Sequence, residues 1–485
     1  MKNIDQVNRL IWEIDNYEHI EKYGSLQRGL FISYWMLIRY TLNLKVAALA
    51  GYDLSPPSVK KTSSWRYKVS FLLNAYQYRL KAKKADFLFI SPSIGNIDDG
   101  EYVENIYHDL FAQYLIKQGK KVLILEQPNV AWRGFKKRKF NVPTYAITWS
   151  YLKRKLKSIF LSPFVRIKDD KINEFNLIIN TIIKKHIPNN DTFVKEIKSH
   201  LLFNIKNIKF YIDMWEDVVK KCKPRAVMMQ DICCGASAGI ASLVFKHHHI
   251  LVIEDQHGLI DIQDIQFNYG LKLKVNPHYN HFMPDYFLIY GKRWLQNMNI
   301  ASHKIIIGNP YHAQAKEKYS NLSPCYDLLV ITDSERPDFT YAKVKTLLAS
   351  PYQILLRPHP RELSVAHERY RELLAFNNVT LDTDRDVYRS IQRAKIVICI
   401  VGSFISTVVW EALALNKPVL CYLNHFAALD HTYHTDFINF YDDDQKLLNA
   451  IDAILSEDKV FDFPFADFYA LDWQKKFGKL VKQIL

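Results

Sequence analysis

An arginine and a histidine interleaved with prolines form the most chemically suggestive motif of this sequence. Arg357-Pro358-His359-Pro360 directly follows Ile354-Leu355-Leu356, an apolar run typical of a buried strand. The two prolines hold the backbone in an extended turn and so fix the directions of the neighbouring side chains. A guanidinium and an imidazole at the end of a strand can bind a phosphate and stabilise a leaving group. We therefore predict that Arg357 and His359 contact a phosphate-bearing substrate.

A hydroxyl-rich loop further along the chain is the second candidate phosphate site. The segment from Gly402 to Thr407 leads from a predicted strand into a helix predicted over Val408 to Leu415. Amides and hydroxyls at a helix N-terminus bind anions, because the helix dipole places partial positive charge there. The side chains predicted to contact a nucleotide are Ser403, Ser406, Thr407 and, through ribose hydroxyls, Glu411. The alternative is that Ser406 and Thr407 only cap the helix and that Glu411 is solvated.

A histidine in the first half of the chain is the candidate general base. His257 follows Ile250 to Glu254, a run that predicts a buried strand, and Gly258 permits a sharp turn after it. Imidazole titrates near neutral pH and can take a proton from an acceptor hydroxyl, although a lone histidine after a strand is more often structural. His247-His248-His249 do not predict a metal site, because adjacent side chains at a helix end diverge and no matching Cys or His spacing accompanies them.

These motifs require a scaffold, and the sequence predicts one of alternating strands and helices. One set runs from the strand at 86–91 to the strand at 304–310, and a second runs from 327–332 to 418–422. Near-continuous apolar strands separated by helices indicate parallel sheets covered on both faces. The predicted fold class is α/β, with two Rossmann-like domains facing a central cleft, where ligands of such folds usually bind.

The predicted divisions follow from these two sets. They are a helical accessory region over 1–85, a Rossmann-like domain with a helical insertion over 86–315, a second Rossmann-like domain over 322–460 and a C-terminal helix over 461–485. Within the first domain we predict a loop over 92–100 and a helix over 101–119. A polar linker over 316–324 separates the two sets.

Charge patterning predicts an anionic membrane surface as a partner. The chain carries 65 Lys and Arg against 50 Asp and Glu, a net charge of +15, with basic runs at Lys136 to Lys139 and Lys153 to Lys157. Trp132, Phe135 and Phe140 flank the first run, and rings settle at the headgroup level while basic side chains reach phosphates. A solvated basic face is the alternative. Nucleic acid is not a predicted partner, because no zinc finger, RNP pattern or basic zipper is present.

Cysteine usage and the N-terminal residues predict a cytoplasmic protein, peripheral on the inner face of the cytoplasmic membrane. Cys233-Cys234 fits neither a metal knuckle nor a regular disulfide framework, so we expect reduced thiols. The acidic start lacks the apolar core of a secretory signal. The apolar stretch from Gly29 to Gly51 is interrupted by Arg39 and Lys45, which favours a core or interfacial helix over a membrane span of roughly 20 apolar residues.

Taken in order, the motifs resemble those of the GT-B glycosyltransferases of bacterial capsule, lipopolysaccharide and teichoic-acid assembly. The matching segments are the His257-Gly258 loop, Arg357-Pro358-His359-Pro360, the 402–407 loop before Glu411-Ala412, and Lys417-Pro418-Val419. The pattern is similar to that of CDP-glycerol glycerophosphotransferases. It also resembles bacterial sialyltransferases and polysialyltransferases, which have an acidic pair before Gly, then His-Pro and a Ser pair. Those three features correspond to Asp98-Asp99-Gly100, His359-Pro360 and Ser406-Thr407, the last departing from Ser-Ser.

The resemblance implies transfer of a sugar from a nucleotide-activated donor to a glycan or lipid-linked acceptor, without a metal cofactor. The first Rossmann-like domain would hold the acceptor and the second the donor. The base would be His257 on the teichoic-acid-like pattern and Asp99 on the sialyltransferase-like pattern. Two alternatives stay open: transfer of a polyol phosphate from a CDP-activated donor, and a non-catalytic protein that keeps the fold to bind glycans.

Overall fold

The computed structural model describes residues 4–49, 65–92, 95–98, 101–126, 137–165, 167, 170–188, 190–260, 264–333, 337–348, 350–359, 362–363, 365–401, 405–423, 437–456 and 463–485. They form two compact units. One contains the chain up to Gly308 together with the segment from Asp472 to Leu485, and the other runs from Asn309 to Leu471. The accessory region thus belongs to the same unit as the first Rossmann-like domain. Of the predicted C-terminal helix over 461–485, only the part from Asp472 onward belongs to that unit.

The first unit begins with helices and a short hairpin. These elements are α1 (Ile4–Asp15), β1 (Gly24–Gln27), β2 (Leu30–Ser33), α2 (Tyr34–Leu49) and α3 (Trp65–Lys81). The guanidinium of Arg39 in α2 is 2% exposed and pairs with Asp15 of α1 at 2.7 Å. It also donates to the carbonyl oxygens of Ile265 and Asn268 at 2.5 and 3.0 Å. Since its interrupting charge is satisfied inside the protein, α2 is a core helix. No described helix is long and apolar enough to cross a membrane.

The remaining elements of the first unit alternate as the sequence predicts. In chain order they are β3 (Phe87–Ser91), β4 (Asn96–Asp98), β5 (Tyr102–Asn105), α4 (Asp109–Lys117), β6 (Val122–Glu126), β7 (Lys137–Arg138), β8 (Thr144–Ala146), α5 (Thr148–Leu161), α6 (Asp170–His186), α7 (Asp191–Cys222), β9 (Ala226–Met229), α8 (Ala236–His247), β10 (Leu251–Asp255), α9 (Leu271–Lys274), α10 (Pro277–Asn280), β11 (Tyr286–Ile289) and β12 (His303–Ile306).

Seven of these strands form one sheet in the described part of the unit, in the order β12-β11-β10-β9-β3-β6-β8. All neighbours pair in parallel. The chain moves outward from β3 in one direction through β6 and β8, and in the other from β9 to β12. This is the order of a doubly wound dinucleotide-binding fold, in which the direction of winding reverses between the first and fourth strands. Here that reversal lies between β3 and β9.

The predicted helix over 101–119 is wrong at its start, because residues 102–105 form β5. That strand pairs antiparallel with β4. The Asn105 side chain then accepts hydrogen bonds from the backbone amides of Tyr107 and His108, each at 3.1 Å. These bonds end the strand and delay the helix until Asp109. Such local side-chain capping competes with the helical pattern that the apolar residues suggest.

The second unit repeats the same winding on a smaller scale. Its elements are α11 (Pro310–Tyr319), β13 (Tyr326–Ile331), α12 (Pro337–Leu347), β14 (Ile354–Arg357), α13 (Ala366–Arg369), β15 (Val379–Leu381), α14 (Val387–Gln392), β16 (Ala394–Val401), α15 (Val408–Ala414), β17 (Val419–Leu423), β18 (Ile438–Tyr441), α16 (Asp444–Ser456) and α17 (Phe465–Phe468). Among the described residues its sheet has six strands in the order β15-β14-β13-β16-β17-β18. All pairs are parallel. The winding therefore reverses between β13 and β16.

The predicted pair of Rossmann-like domains is confirmed by these two sheets. The polar linker expected over 316–324 is partly wrong, because Lys316 to Tyr319 belong to α11. That helix begins at Pro310, and the Asn309 side chain accepts from the amide of Tyr311 at 2.8 Å. An Asn cap followed by Pro at the first position is a strong helix start that charge composition obscures.

The chain ends with α18 (Trp473–Ile484), which packs into the core of the first unit. Phe477, Leu480, Val481 and Ile484 are buried against β3 and α4, where they meet Phe87 and Phe111. All six cysteines are free.

Candidate functional site

In both units the candidate residues lie at the carboxyl edge of a parallel sheet. In the first unit His257 follows β10 and Asp231 follows β9; in the second, Arg357 ends β14 and Ser406 follows β16. Ligands of doubly wound sheets bind at this edge, beside the strands where the winding reverses. β9 and β16 are among those strands. Motif position and sheet order therefore point to the same edge in each unit.

His257 lies in a turn that is fixed by its neighbours. The Gln256 side chain donates to the Gly258 carbonyl oxygen at 2.9 Å and accepts from the Tyr290 amide at 2.9 Å. The Tyr107 hydroxyl donates to the His257 carbonyl oxygen at 2.8 Å. These bonds hold the backbone on both sides of the imidazole, so the ring is positioned before any substrate arrives.

The His257 imidazole faces a carboxylate. Its Nε2 lies 3.6 Å from Asp231 Oδ1, and the two side chains are 18% and 47% exposed. Its Nδ1 is buried and has no hydrogen-bond partner among the described residues. A carboxylate at this distance stabilises the protonated imidazolium. The pair therefore has the composition of a general base and the group that supports its charge.

Asp231 occupies a strained loop. Its φ is 63°, and Ala236, five residues on at the start of α8, has a φ of 46°. Left-handed backbone is unfavourable for both residue types and clusters at functional sites, where the surrounding structure enforces it. Between them Gly235 has a φ of 75°, and a Cβ there would lie 2.7 Å from the Met36 carbonyl oxygen. The loop is thus held by α2, a helix of the accessory region.

A second histidine, which the sequence analysis missed, is buried in the same edge. His108 Nε2 lies 3.1 Å from Asp255 Oδ1, and the side chains are 0% and 5% exposed. Gln230 donates to the other oxygen of Asp255 at 3.0 Å. His108 Nδ1 has no partner within the described part of the chain. The strand-end residues Gln230 and Asp255 thus fix an imidazole beneath the surface.

Arg138, which belongs to the basic run at 136–139, is buried and so does not face lipid as predicted. Arg138 Nη1 donates to both carboxylate oxygens of Asp109 at 2.9 and 3.0 Å. Its Nη2 lies 3.3 Å from Glu126 at the end of β6, and its side chain is 3% exposed. A buried arginine paired with two carboxylates is a structural charge network. Trp132, Phe135 and Lys136 lie outside the described residues.

Two buried carboxyl groups near the first sheet edge have raised pKa values. Burial raises the pKa of Glu254 to about 8, while hydrogen bonding from Cys233 opposes the shift. Its Oε2 accepts from the Cys233 amide at 3.0 Å. Burial also raises the pKa of Asp264 to about 6, and the nearby His257 lowers it. Carboxyls with perturbed pKa values beside a histidine are typical of a functional site.

In the second unit Arg357 holds its own loop together. Its Nη1 donates to Asp382 Oδ2 at 2.5 Å, to the Asp384 carbonyl oxygen at 2.9 Å and to Ser390 Oγ at 2.8 Å. The side chain is 11% exposed. The guanidinium thus fixes the loop after β15 to the helix α14. Its charge also lowers the pKa of Glu411, which burial raises to about 7.

The backbone of His359 is anchored by a residue that the sequence analysis missed. The His359 amide donates to Thr332 Oγ1 at 3.0 Å and to Glu362 Oε2 at 3.3 Å, and Glu362 returns an amide hydrogen bond to the His359 carbonyl at 2.8 Å. Glu362 is 2% exposed and also accepts from the hydroxyls of Thr332 at 2.7 Å and Tyr370 at 3.0 Å. The His359 side chain is half-buried. Hydrogen bonds with Thr332 and Glu362 thus fix the turn through the backbone of His359.

The hydroxyl-rich loop is described from Ile405 onward. Ser406 Oγ accepts from the Val408 amide at 3.3 Å, and the Thr407 side chain is exposed and makes no capping hydrogen bond. Glu411 is half-buried, with its Oε2 enclosed and without a hydrogen-bond partner in the described chain. It is therefore not the solvated carboxylate of the alternative interpretation. Ser403, like Asp99 of the first unit, lies outside the described residues.

The residues that sequence reasoning missed are all polar and close to a strand end, and all except Asp231 are buried. They are His108, Asp231, Glu254, Asp255 and Glu362. Only the polar ends of the apolar runs, such as Glu254-Asp255 after Leu251-Val252-Ile253, signal them in the sequence. Among the described residues no group of three or more His, Cys, Asp or Glu side chains gathers as metal ligands would.

Comparison with known proteins gives matches to solved structures only. No protein-family model and no curated protein matches the sequence. The chain is similar to the UDP-GlcNAc 2-epimerase of Methanocaldococcus jannaschii, at 14% identity over 82% of this chain and 99% of that one, with a TM-score of 0.48. It is also similar to the UDP-GlcNAc 2-epimerase of Neisseria meningitidis bound to UDP-GlcNAc, at 12% identity over 82% and 99%, with a TM-score of 0.48. A third match is MurG of Acinetobacter baumannii, at 13% identity over 82% and 99%, with a TM-score of 0.39.

These matches do not identify a substrate. Because each of the three TM-scores lies below 0.5, we base the functional assignment on the side chains of this chain.

Proposed function

We propose that this chain is a metal-independent glycosyltransferase that moves a sugar from a nucleotide-activated donor to a growing bacterial surface glycan, of the capsule or lipopolysaccharide type. The observation that carries the proposal is the pairing of His257 with Asp231 in a strained loop at the carboxyl edge of the first sheet. A supported histidine at this position suits removal of a proton from an acceptor hydroxyl.

In this mechanism the first unit supplies the base. His257 takes the acceptor proton at Nε2, since its Nδ1 is enclosed. Asp231 stabilises the resulting imidazolium, because its Oδ1 lies 3.6 Å from that nitrogen. The freed oxygen attacks the anomeric carbon of the donor as the bond to the nucleotide phosphate breaks. Asp99 remains the competing candidate, on the resemblance alone.

The second unit would bind the donor. His359 presents a half-buried imidazole from a turn whose backbone is already satisfied, which suits stabilisation of the departing phosphate. Ser403, Ser406 and Thr407 would contribute hydroxyls to that phosphate. Glu411 has a pKa of about 7, so its carboxyl is suited to hydrogen bonding with ribose hydroxyls. Arg357 would act by holding the loop after β15 in place, since its Nη1 is bonded within the unit.

Two further parts of the proposal concern the acceptor and the cell. The acceptor is a glycan or a lipid-linked glycan, and the protein works as a peripheral protein on the cytoplasmic face of an anionic membrane. The support for the second part is the excess of basic residues, which attracts anionic headgroups.

The test is a donor screen on the full chain. UDP-, GDP- and CMP-sugars, including UDP-GlcNAc, are incubated with and without EDTA, and nucleotide release is followed with and without added glycan. We expect acceptor-stimulated release from one sugar nucleotide class that EDTA leaves unchanged.

The other outcomes separate the alternatives. Turnover of CDP-glycerol alone would replace glycosyl transfer with polyol-phosphate transfer. Conversion of UDP-GlcNAc to an epimer without acceptor would replace transfer with epimerisation. Nucleotide binding without any turnover would leave a glycan-binding protein.

A further inference from the structure

Two neighbouring helices of the first unit expose an unusual set of large apolar side chains. α3 packs against α5, and the Arg79 guanidinium lies 5.3 Å from the centre of the Trp149 ring. A 3₁₀ turn over Ser162–Phe164 continues α5. The exposed apolar side chains of these segments are Val69, Leu72, Leu73, Tyr76, Leu80, Trp149, Leu156, Ile159, Phe160, Leu161 and Phe164. We call this set the α3–α5 surface.

Several large apolar side chains of the α3–α5 surface are more than half exposed. Tyr76 is 62% exposed, Phe160 65% and Phe164 80%. Single exposed apolar residues are ordinary, but a run of them along two packed helices is a mark of an interaction surface. The polar side of α5 faces α7, where Lys157 pairs with Asp213 at 2.8 Å. The apolar side is therefore the one left outward.

The same two helices have a one-sided charge. Neither contains an Asp or Glu. Each carries four basic residues, which are Arg66, Lys68, Arg79 and Lys81 in α3, and Lys153, Arg154, Lys155 and Lys157 in α5. Exposed Lys83 and Lys84 follow directly after α3. Lys155, exposed, lies between the exposed apolar positions of α5. Lys153 and Lys157 pair with Asp217 and Asp213 of α7 at 2.9 and 2.8 Å. Exposed Lys155 stands beside the phenylalanine and leucine side chains of α5, and neither helix has an acidic residue of its own.

We propose that the α3–α5 surface docks the protein onto a bilayer that contains anionic phospholipid. Aromatic and aliphatic side chains enter the boundary between headgroups and acyl chains, while lysine and arginine contact lipid phosphates. A protein partner fits less well, since lysine is depleted from protein interfaces. This inference specifies the membrane part of the proposed function. It keeps the predicted basic run at Lys153 to Lys157, which lies in α5, and does not use the run at Lys136 to Lys139. Its test does not depend on turnover.

The experiment is vesicle co-sedimentation of the full chain with phosphatidylcholine vesicles that contain either no or one-third phosphatidylglycerol. We expect binding to the anionic vesicles that weakens as salt rises from 0.05 to 0.5 M, because surface attraction is screened over a Debye length of about 8 Å at physiological salt. The variants Phe160→Glu and Phe164→Glu should each lower the partition coefficient at least about tenfold, since each removes a large apolar group and adds a repelled charge.

A matched control comes from α6. Leu177 is 67% exposed on that helix, so Leu177→Glu likewise replaces a large apolar side chain by a carboxylate, at a similar exposure outside the α3–α5 surface. It should bind like the wild type. Phe164→Ser, at the most exposed position, should lower binding with an unchanged melting curve, which excludes unfolding as the cause. Lys155→Glu should lower binding about fivefold or more and reduce the salt dependence.

Equal binding of wild type, Phe160→Glu and Phe164→Glu would overturn the proposal, as would a loss in Leu177→Glu of the same size. Absence of binding to anionic vesicles by the wild type would overturn it as well. Nucleotide release with a water-soluble acceptor should be unchanged in all surface variants. A loss of nucleotide release without a loss of vesicle binding would count against the proposed reaction and not against the α3–α5 surface.

Discussion

The two sheet edges carry similar residue types but use them differently. In the first unit Glu254, His108 and His257 each keep a buried polar atom that has no partner among the described residues. In the second unit the charged groups of the Arg-Pro-His-Pro turn are paired: Arg357 bonds Asp382 and Ser390, and Glu362 bonds Thr332 and Tyr370. The turn of the second edge thus uses its hydrogen-bonding groups to hold a loop, whereas the first edge retains unused capacity, as does Glu411 Oε2 on the helix after β16.

This difference suggests that the first edge serves catalysis and the second serves recognition of the donor. Unsatisfied buried polar groups cost stability, and they persist where chemistry requires a shifted proton affinity. Fully bonded charges instead fix geometry, which suits recognition of a rigid phosphate. We therefore expect substitutions in the first edge to change rate and pH dependence, and substitutions behind the turn of the second edge to change stability and donor affinity.

The largest expected effect is on turnover by His257→Ala. Loss of a general base should lower turnover at saturating donor by about 10²- to 10⁴-fold, with donor affinity by calorimetry nearly unchanged. Exposed His303 of the same unit provides the control His303→Ala. If Asp99→Asn has the larger effect, and the acidic limb of the rate profile follows a carboxylate, then Asp99 is the base. Near-normal rates in both variants would exclude both residues.

His359→Ala tests the second edge at the histidine of its Arg-Pro-His-Pro turn. Its backbone bonds to Thr332 and Glu362 remain possible in the variant, so the melting curve should be unchanged. Turnover should fall about 10²- to 10³-fold, the usual cost of removing a group that stabilises the leaving charge. The control is His367→Ala, an exposed histidine of the same unit. Full turnover with an unchanged melting curve would remove His359 from the site.

Glu362→Ala should act on stability. It leaves the Thr332 and Tyr370 hydroxyls without their buried acceptor and removes one of the two acceptors of the His359 amide, which should cost about 3 kcal/mol in the free energy of unfolding. Urea denaturation is the measurement, and exposed Glu368→Ala is the control. A change below about 0.5 kcal/mol would contradict a structural role for Glu362 and weaken the contrast between the two edges.

Glu254→Gln should remove a pH dependence of stability. The native carboxyl has a pKa of about 8, compared with 4.5 for the ordinary group, so the native state binds the proton more tightly than the unfolded chain. The stability that Glu254 contributes is therefore fully present below pH 4.5 and is lost as pH rises through about 8. Glutamine mimics the protonated form, so the variant should match wild type at pH 5 and exceed it at pH 8. Glu18→Gln, at a side chain 75% exposed, should leave the curve unchanged. If the free energy of unfolding depends on pH in the same way in Glu254→Gln and in the wild type, Glu254 is ionised at neutral pH.

The smallest effect is expected from Thr407→Ala. The hydroxyl makes no capping bond, so stability should change by less than about 0.5 kcal/mol. If Thr407 contacts a donor phosphate, affinity for the nucleotide should fall about tenfold, the loss of one hydrogen bond to a charged group. Isothermal calorimetry checks this, with exposed Thr380→Ala as the control. Unchanged nucleotide affinity would show that Thr407 does not contact the donor phosphate.

Most strands of both sheets could be predicted from the sequence, because a strand buried on both faces must be apolar at nearly every position. Phe87–Ser91 and Ala394–Val401 are examples. The short strands β5, β8 and β15 could not, since their three or four residues include polar ones and so form no continuous apolar run. Residues of β5 form a strand because they pair with β4 and because the Asn105 side chain accepts a hydrogen bond from the Tyr107 amide.

The sequence by itself determined the alternation of apolar strands and helices, and it placed Arg357, His359 and His257 at strand ends. Only the tertiary structure decided which charges face inward and which carboxyls keep their protons. Arg39 and Arg138 look in sequence like surface charges, yet each is buried against carboxylates contributed by distant segments. Glu254 acquires its shifted pKa from burial between elements that are far apart in the chain. The physical reason is that solvation and ion pairing depend on what surrounds a group in space, and residue spacing along the chain does not specify those surroundings.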